Sequence, residues 1–146
     1  MAIEGEYAPS TWDWVRKQVE EYEASAGSRF NTLRDTGQPI IVMTTVGHKS
    51  GKVRKVPLMR VEHGGEYAIV GSKGGAPTNP QWVNNLLADP NVMIQDGPAP
   101  FDAVVRLAAG DERALWWERA VSAFSNYAEY QAKTEREIPL FIAAPR

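Results

Sequence analysis

The apolar positions of this chain follow two spacings, one typical of strands and one typical of helices. Segment 39–47 (PIIVMTTVG) is rich in β-branched residues, and several short stretches further along share this character. Such stretches are bounded by glycine, proline or aspartate, as strands usually are. We predict strands at 39–47, 53–63, 66–72, 92–96 and 101–109, and a final apolar piece at 138–143.

Turn residues indicate how these strands connect. Gly64 and Gly65 lie between two extended segments and can supply the positive φ angles of a tight hairpin turn. Pro57 cannot donate a ladder hydrogen bond, so we predict an edge position or a bulge for its strand. Gly97 and Pro98 are expected to join the next pair of strands.

A first helix is predicted over 11–26, where Trp12, Val15, Val19 and Tyr22 recur at helical spacing. Two interpretations of this helix remain open. Its apolar face can cover the protein core as a lid, or it can contact a membrane surface or a partner, although three glutamates weaken attraction to anionic lipid.

Three further helical segments follow. One lies between Thr78 and Pro90, with Thr78 or Asn79 as its cap and Pro80 near its first turn. Asp111 is expected to cap the next helix, and a short segment at 127–133 is also predicted to be helical.

Short strands joined mainly by hairpins indicate an α+β fold, a split antiparallel β-barrel with flanking helices. A doubly wound parallel sheet is disfavoured, because most neighbouring strands lack the long crossover that parallel pairing requires. A chain of 146 residues fits a single globular domain. Within it we expect residues 1–38 to form the N-terminal helix and linker, and 39–146 the barrel.

Composition excludes several classes of protein. The net charge of −2 argues against general nucleic-acid binding, and no apolar run is long enough to span a membrane. The start of the chain lacks the features of a secretory signal, and the absence of cysteine removes disulfides and thiolate chemistry. We therefore expect a cytoplasmic protein, with membrane association left open through the first helix.

Positive charge is concentrated in one part of the chain. Between positions 48 and 73 the acids are Glu62 and Glu66, and the cations are more numerous. This pattern suits a compact anionic ligand better than a long polyanion. The cations are Lys49, Lys52, Arg54, Lys55, Arg60 and Lys73.

The loop 71–82 (GSKGGAPTNPQW) contains three glycines, one lysine and two prolines between a strand and a helix. Glycines let backbone N–H groups approach a ligand closely, and Lys73 adds a positive charge. Ordinary turn formation and anion binding are both open interpretations. The loop matches neither the Walker A motif nor the dinucleotide-binding fingerprint.

Other candidate chemistry is weaker. His48 and His63 are the only histidines, and without metal-ligand spacing we expect no metal site. Phe124, Tyr127 and Tyr130 recur every three residues, so their rings share one helical face. These rings either pack in the core or form the wall of a pocket whose phenol groups meet a polar substrate.

Several motifs taken together resemble the deazaflavin-dependent nitroreductase family, including proteins similar to quinone reductases that use reduced coenzyme F420 in actinobacteria. They are TTVGHKSGKVRKVPL, GSKGGAPTNPQWVNNL, DERALWWERAV and SNYAEYQAKTEREIPLF, and the likeness runs from about Pro39 to Ile142. The resemblance implies a split β-barrel related to flavin-nucleotide oxidoreductases. It also implies a hydride transfer from reduced F420, an 8-hydroxy-5-deazaflavin, to a quinone or nitroaromatic acceptor.

The resemblance further implies which residues form the site. Tyr127 and Tyr130 match positions that present tyrosines to the substrate. Phe124 stands where a tyrosine can occur and His48 where arginine is frequent, so this chain departs from the family pattern at both. The implied coenzyme-binding residues are Lys49, Arg54, Lys55, Pro57, Ser72, Lys73, Gly74, Gly75, Ala76, Asn79, Pro80 and Trp82.

Two other functions remain as alternatives. The same barrel could bind FMN, or the protein could carry a coenzyme or lipid without turnover. The expected partners are small molecules, with no nucleic acid, and the sequence leaves the oligomeric state open.

Overall fold

The computed structural model describes residues 3–33 and 36–146. The helices are α1 (Asp13–Ala24), α2 (Gln81–Ala88), α3 (Gly110–Ala123) and α4 (Asn126–Lys133). The strands are β1 (Ile40–Val46), β2 (Val53–Met59), β3 (Glu62–His63), β4 (Glu66–Val70), β5 (Asn91–Gln95), β6 (Pro100–Leu107) and β7 (Leu140–Pro145). A short 3-10 turn, Lys73–Gly75, lies between β4 and α2.

The strands form one antiparallel sheet in the order β2-β1-β5-β6-β7-β4-β3. Strands β2 and β3 lie at opposite ends of this order although they are almost consecutive in the chain, so the sheet must curl. The turning point is at Arg60 and Val61: Arg60 N donates to Pro39 O, and Val61 O accepts from Ala68 N. The predicted α+β split barrel is confirmed. The single strand predicted over 53–63 is wrong, because the chain changes partners at this point.

The predictions for the glycine pair and for the proline in a strand are both confirmed. Gly64 and Gly65 have φ angles of 61° and 84° and connect β3 to β4, with His63 paired to Glu66. Pro57 lies in β2, which is an edge strand of the sheet. An edge position leaves the missing N–H of proline without a structural cost.

Two hydrophobic clusters lie on the two faces of the curled sheet. The inner cluster joins residues of β1, β4, β5, β6 and β7 to Val83 and Leu86 of α2. The outer cluster joins the other face of the sheet to α1 through Val19 and Tyr22, and to α3 and α4. Val19 and Tyr22 therefore cover the core, as the lid interpretation expected, whereas Trp12, predicted for the same face, precedes α1 and is 63% exposed. No helix within the described ranges is long and apolar enough to cross a membrane.

The helix ends differ from the predictions. Helix α1 is two residues shorter at each end than the predicted 11–26. Neither Thr78 nor Asn79 caps α2, whose N-cap is Pro80, and Asp111 lies inside the first turn of α3 rather than at its cap. The Asn79 side chain accepts a tertiary hydrogen bond from Arg136 instead, so a long-range partner replaced the local cap.

The antiparallel order fixes which loops lie together. Every neighbouring pair is antiparallel, so β1, β6 and β4 all run in the same direction. The turn that follows β1 (47–52) and the loop that follows β4 (71–80) therefore lie at the same end of the barrel. The two regions singled out in the sequence, one basic and one rich in glycine, are brought to one edge.

A polar network holds the opposite end closed. Asp96 Oδ2 accepts hydrogen bonds from the Tyr67 hydroxyl at 2.6 Å and from Arg60 Nε at 2.9 Å. These contacts join the end of β5 to the start of β4 and to the bend after β2. Burial, together with the bond to Asp96, raises the pKa of the Tyr67 hydroxyl.

We predict that Tyr67→Phe lowers the free energy of unfolding by about 1 to 3 kcal/mol near neutral pH, since it removes a bond to a charged group. The unfolded tyrosine has a pKa of about 10 and the folded one a higher value, so the unfolded state loses its proton first as pH rises. The wild-type protein should lose stability above about pH 10, and the variant should lose less. Urea unfolding near neutral pH and above about pH 10 measures the stability of both proteins. If the two proteins lost the same free energy of unfolding at the higher pH, the prediction would be contradicted.

Candidate coenzyme site

The basic turn after β1 is joined to α2 by one side chain. Asn85 of α2 accepts hydrogen bonds from the backbone N–H of His48 at 2.9 Å and contacts its ring nitrogen Nδ1 at the same distance. Its amide nitrogen donates to Thr45 Oγ1 at the end of β1. Because α2 begins directly after the glycine-rich loop, this residue couples the positions of the two regions.

The backbone of the glycine-rich loop has an unusual conformation. Ser72 is right-handed, and the next three residues have positive φ angles: Lys73 at 46°, Gly74 at 64° and Gly75 at 82°. A left-handed conformation costs a non-glycine residue such as Lys73 roughly 1 to 2 kcal/mol. Strain of this kind is concentrated at functional sites.

In this loop most carbonyl groups have hydrogen-bond partners, whereas several N–H groups have none within the described ranges. Ser72 O and Lys73 O accept from the N–H groups of Gly75 and Ala76. Side chains donate to further loop carbonyls, at Gly71, Ser72, Gly74 and Ala76. Among the residues that the structure describes, none accepts a hydrogen bond from the N–H of Ser72, Lys73 or Gly74. Successive N–H groups next to a right-to-left-handed change of conformation form a cavity that suits an anion.

The loop is docked onto α4. A Cβ atom on Gly75 would lie 2.7 Å from Tyr130 O and 3.0 Å from its Cα, so only glycine fits this contact. Lys133 Nζ, one turn further along α4, lies 3.4 Å from Gly74 O. The loop is therefore packed against the backbone of Tyr130, and the same Lys133 Nζ lies 5.9 Å from the centre of the Tyr130 ring. The glycine at 75 serves this packing directly.

Arg136 forms more bonds to the loop than any other side chain described. Its Nε donates to Ala76 O at 2.8 Å, and its Nη2 to Ser72 O at 2.8 Å. Its Nη1 donates to Gly71 O at 3.2 Å and to Asn79 Oδ1 at 2.7 Å. The loop is thus tied to the segment after α4 by one guanidinium.

The three aromatic residues form a cluster with unequal exposure. The rings of Phe124 and Tyr127 are 5.1 Å apart, and that of Tyr130 lies 6.1 Å from Phe124 and 6.3 Å from Tyr127. Tyr127 is 4% exposed and belongs to the outer core, and burial raises the pKa of its hydroxyl. Tyr130 is only half-buried and packs against the edge of that core. Tyr130 is therefore the tyrosine of this pair more open to a substrate.

Lys55 has a carboxylate partner. Its ammonium pairs with Glu23 of α1 at 2.5 Å and lies 5.1 Å from the centre of the Tyr7 ring. Lys55 and Glu23 line a cavity of about 270 Å³ between the N-terminal segment, α1 and the outer face of the sheet. An anion that binds Lys55 must compete with Glu23.

The remaining predicted residues fall into two groups. Lys49, Arg54 and Lys73 are exposed, and within the described part of the chain none of them pairs with a carboxylate. Trp82 packs against the inner cluster, which gives it a role in the core. Pro57 and Pro80 are half-buried at the β2 edge and at the start of α2.

Comparison with known proteins identifies the family. A family model described as F420H(2)-dependent quinone reductase matches residues 14–145. The chain belongs to this family. Its cofactor is therefore coenzyme F420, as the sequence resemblance implied.

Individual relatives agree with this assignment. A protein of Mycobacterium tuberculosis that carries the name of the same family is 38% identical over 110 residues, which are 74% of this chain and 91% of the relative. A solved structure of an F420-H2 dependent reductase, FDR-A, is 54% identical with a TM-score of 0.69, over 72% of this chain and 93% of that one. A second solved structure, whose description says only that it is a domain-swapped dimer, is 48% identical with a TM-score of 0.72, over 92% of this chain and 99% of that one.

The donor set of this F420-dependent quinone reductase family member fits an anionic coenzyme. Three backbone N–H groups and the cations Lys49, Arg54 and Lys73 lie at one end of the barrel; over residues 3–33 and 36–146 these N–H groups have no acceptor and these cations have no carboxylate partner. The sequence identified these residues but did not identify Arg136 or Lys133. Both residues follow Tyr130 within six positions, in a segment that the resemblance had already assigned to the site, and this position is the signal that could have identified them.

We predict that Glu23→Gln strengthens F420 binding. It removes the charge that competes for Lys55, and a partly exposed ion pair of this kind is worth about 0.5 to 1 kcal/mol, or about a two- to fivefold lower dissociation constant. Fluorescence titration with the coenzyme measures the change. Glu6→Gln is the matched control, because Glu6 lies 3.7 Å from Lys52 and is 75% exposed. Equal affinities of Glu23→Gln and the wild type would remove Lys55 from the coenzyme site.

Proposed function

We propose that this protein is an oxidoreductase that transfers a hydride from reduced coenzyme F420 to a quinone, with nitroaromatic compounds as further acceptors. The observation that carries the proposal is the contact between Gly75 and the backbone of Tyr130. It joins the loop, which carries three N–H groups without an acceptor among the described residues, to the residue that carries the phenol. The N–H groups suit the anionic part of a coenzyme, and the phenol suits an acceptor oxygen.

Binding is assigned to the loop and the basic turn. The N–H groups of Ser72, Lys73 and Gly74 and the side chains of Lys49, Arg54, Lys55 and Lys73 bind the anionic part of the coenzyme. Charged donors of this type make stronger bonds to anionic oxygens than neutral donors do. The other candidates, Pro57, Gly75, Ala76, Asn79, Pro80 and Trp82, shape the site around them.

The reaction needs a hydride and a proton to convert a quinone to a hydroquinone. Bound reduced F420 supplies the hydride, and the proton comes from solvent. The Tyr130 hydroxyl donates a hydrogen bond to the acceptor oxygen, where negative charge develops. The buried ring of Tyr127 forms the wall behind it and keeps water away from that side.

Titration of the purified protein with reduced F420, and separately with FMN, tests the proposed coenzyme. We expect tighter binding of F420, and in Lys73→Ala a loss of about 1.5 to 3 kcal/mol with weaker dependence on salt, since a charge-assisted bond is removed. Oxidation of bound reduced F420 on adding menadione then tests turnover. Tighter binding of FMN would overturn the coenzyme assignment, and absence of turnover would identify a carrier.

We predict that Tyr130→Phe lowers the rate of quinone reduction about 10- to 100-fold, with little change in F420 affinity, because it removes one donor to the developing charge. Steady-state kinetics at saturating coenzyme, together with the titration, separate the two effects. Tyr127→Phe is the matched comparison, with a smaller expected effect on rate. An unchanged rate in Tyr130→Phe would limit Tyr130 to packing.

A further inference from the structure

The guanidinium of Arg136 is bonded only to neutral oxygen atoms. Its four acceptors are three backbone carbonyls and the amide oxygen of Asn79. Within the described residues no carboxylate lies at ion-pair distance from it, and its neighbour Glu137 pairs with Arg113 at 3.1 Å. The positive charge of Arg136 is therefore not cancelled locally.

Other half-buried cations of the chain contrast with Arg136. Arg60 pairs with Asp96, Arg113 with Glu137 and Lys55 with Glu23. Burial lowers the pKa of the Arg136 guanidinium, as expected where no negative group offsets the loss of water. Arginine nevertheless stays protonated under any physiological condition.

The positions of these bonds have a consequence for the loop. Arg136 holds the carbonyl oxygens of Gly71, Ser72 and Ala76 toward itself, and the unpaired N–H groups belong to the residues between them. The carbonyls of Gly71 and Ser72 share their peptide groups with the N–H groups of Ser72 and Lys73, and a bond to a cation polarises such a peptide and makes its N–H a stronger donor. The fixed loop favours an anion at Ser72, Lys73 and Gly74, and the polarisation adds to this at Ser72 and Lys73.

We propose that Arg136 is a positioning residue of the coenzyme site. It fixes the loop with its N–H groups free, and its uncancelled charge attracts the anionic part of the coenzyme through the loop. This inference rests on the proposed binding of F420 at the loop, and adds a residue that acts from behind it.

Arg136→Met and Arg136→Lys separate the two contributions. Methionine removes both the charge and the bonds, whereas lysine keeps the charge and cannot span four acceptors. Arg119→Met is the matched control for net charge, because Arg119 lies on α3 over the ring of Trp116 and, in the described part of the chain, forms no hydrogen bond or ion pair with the loop. Thermal unfolding establishes that each variant is folded. If Arg136→Met does not fold, the measurements below are made on Arg136→Lys alone.

The first measurement uses the coenzyme-free protein. Amide hydrogen exchange at Gly75 and Ala76, whose N–H groups bond to Ser72 O and Lys73 O, reports whether the loop is held. We expect about tenfold faster exchange in both Arg136 variants and no change in Arg119→Met. Unchanged exchange in the Arg136 variants would overturn the positioning role, and this result does not depend on whether F420 binds.

The second measurement is the F420 dissociation constant at several salt concentrations. We expect it to rise about tenfold or more in Arg136→Met, with weaker salt dependence, and less in Arg136→Lys, with salt dependence retained. Faster exchange with unchanged F420 affinity would overturn the role in coenzyme binding. No F420 binding by the wild-type protein would instead reject the proposed function, while the exchange data would still report on Arg136.

Discussion

The site depends on one constraint, that the carbonyl oxygens of the loop after β4 are satisfied by the protein itself. A buried or half-buried backbone must place its polar groups somewhere, and here Arg136, Lys133 and the loop's own amides take the carbonyls. The N–H groups at 72–74 are left over. The left-handed conformation of Lys73 is part of this arrangement, because its strain persists only where the surroundings hold it in place.

The curled sheet determines what lies next to that loop. Because every neighbouring pair of strands is antiparallel, β1 and β4 run the same way, and the basic turn and the glycine-rich loop lie at the same end of the barrel. The Asp96 network closes the other end, so the ends of the barrel have different chemistry. At one end Arg60 is paired with Asp96 and Glu62, whereas at the other end Lys49, Arg54 and Lys73 are exposed and pair with no carboxylate among the described residues.

The sequence predicted the features that depend on neighbouring residues. Gly64 and Gly65 formed the expected hairpin turn and Pro57 lies on an edge strand, since both follow from backbone geometry alone. Asn79 was wrongly expected to cap a helix, because its oxygen bonds to Arg136, 57 residues away. The bonds of Arg136 were not predicted for the same reason. Three of its four acceptors are backbone carbonyls, which no residue type marks in the sequence, and the fourth is the distant Asn79.

The loop side and the β2 side of the site differ in the interactions that an anion would have to break on binding. On the loop side the N–H groups at 72–74 have no acceptor among the residues described, so an anion there would break no existing hydrogen bond of these groups. On the β2 side Lys55 is engaged by Glu23, and the same helix α1 covers the outer core with Val19 and Tyr22. An anion that binds Lys55 must therefore break the ion pair between Lys55 and Glu23. An anionic coenzyme should meet the loop first and Lys55 second, because the first contact costs no existing ion pair.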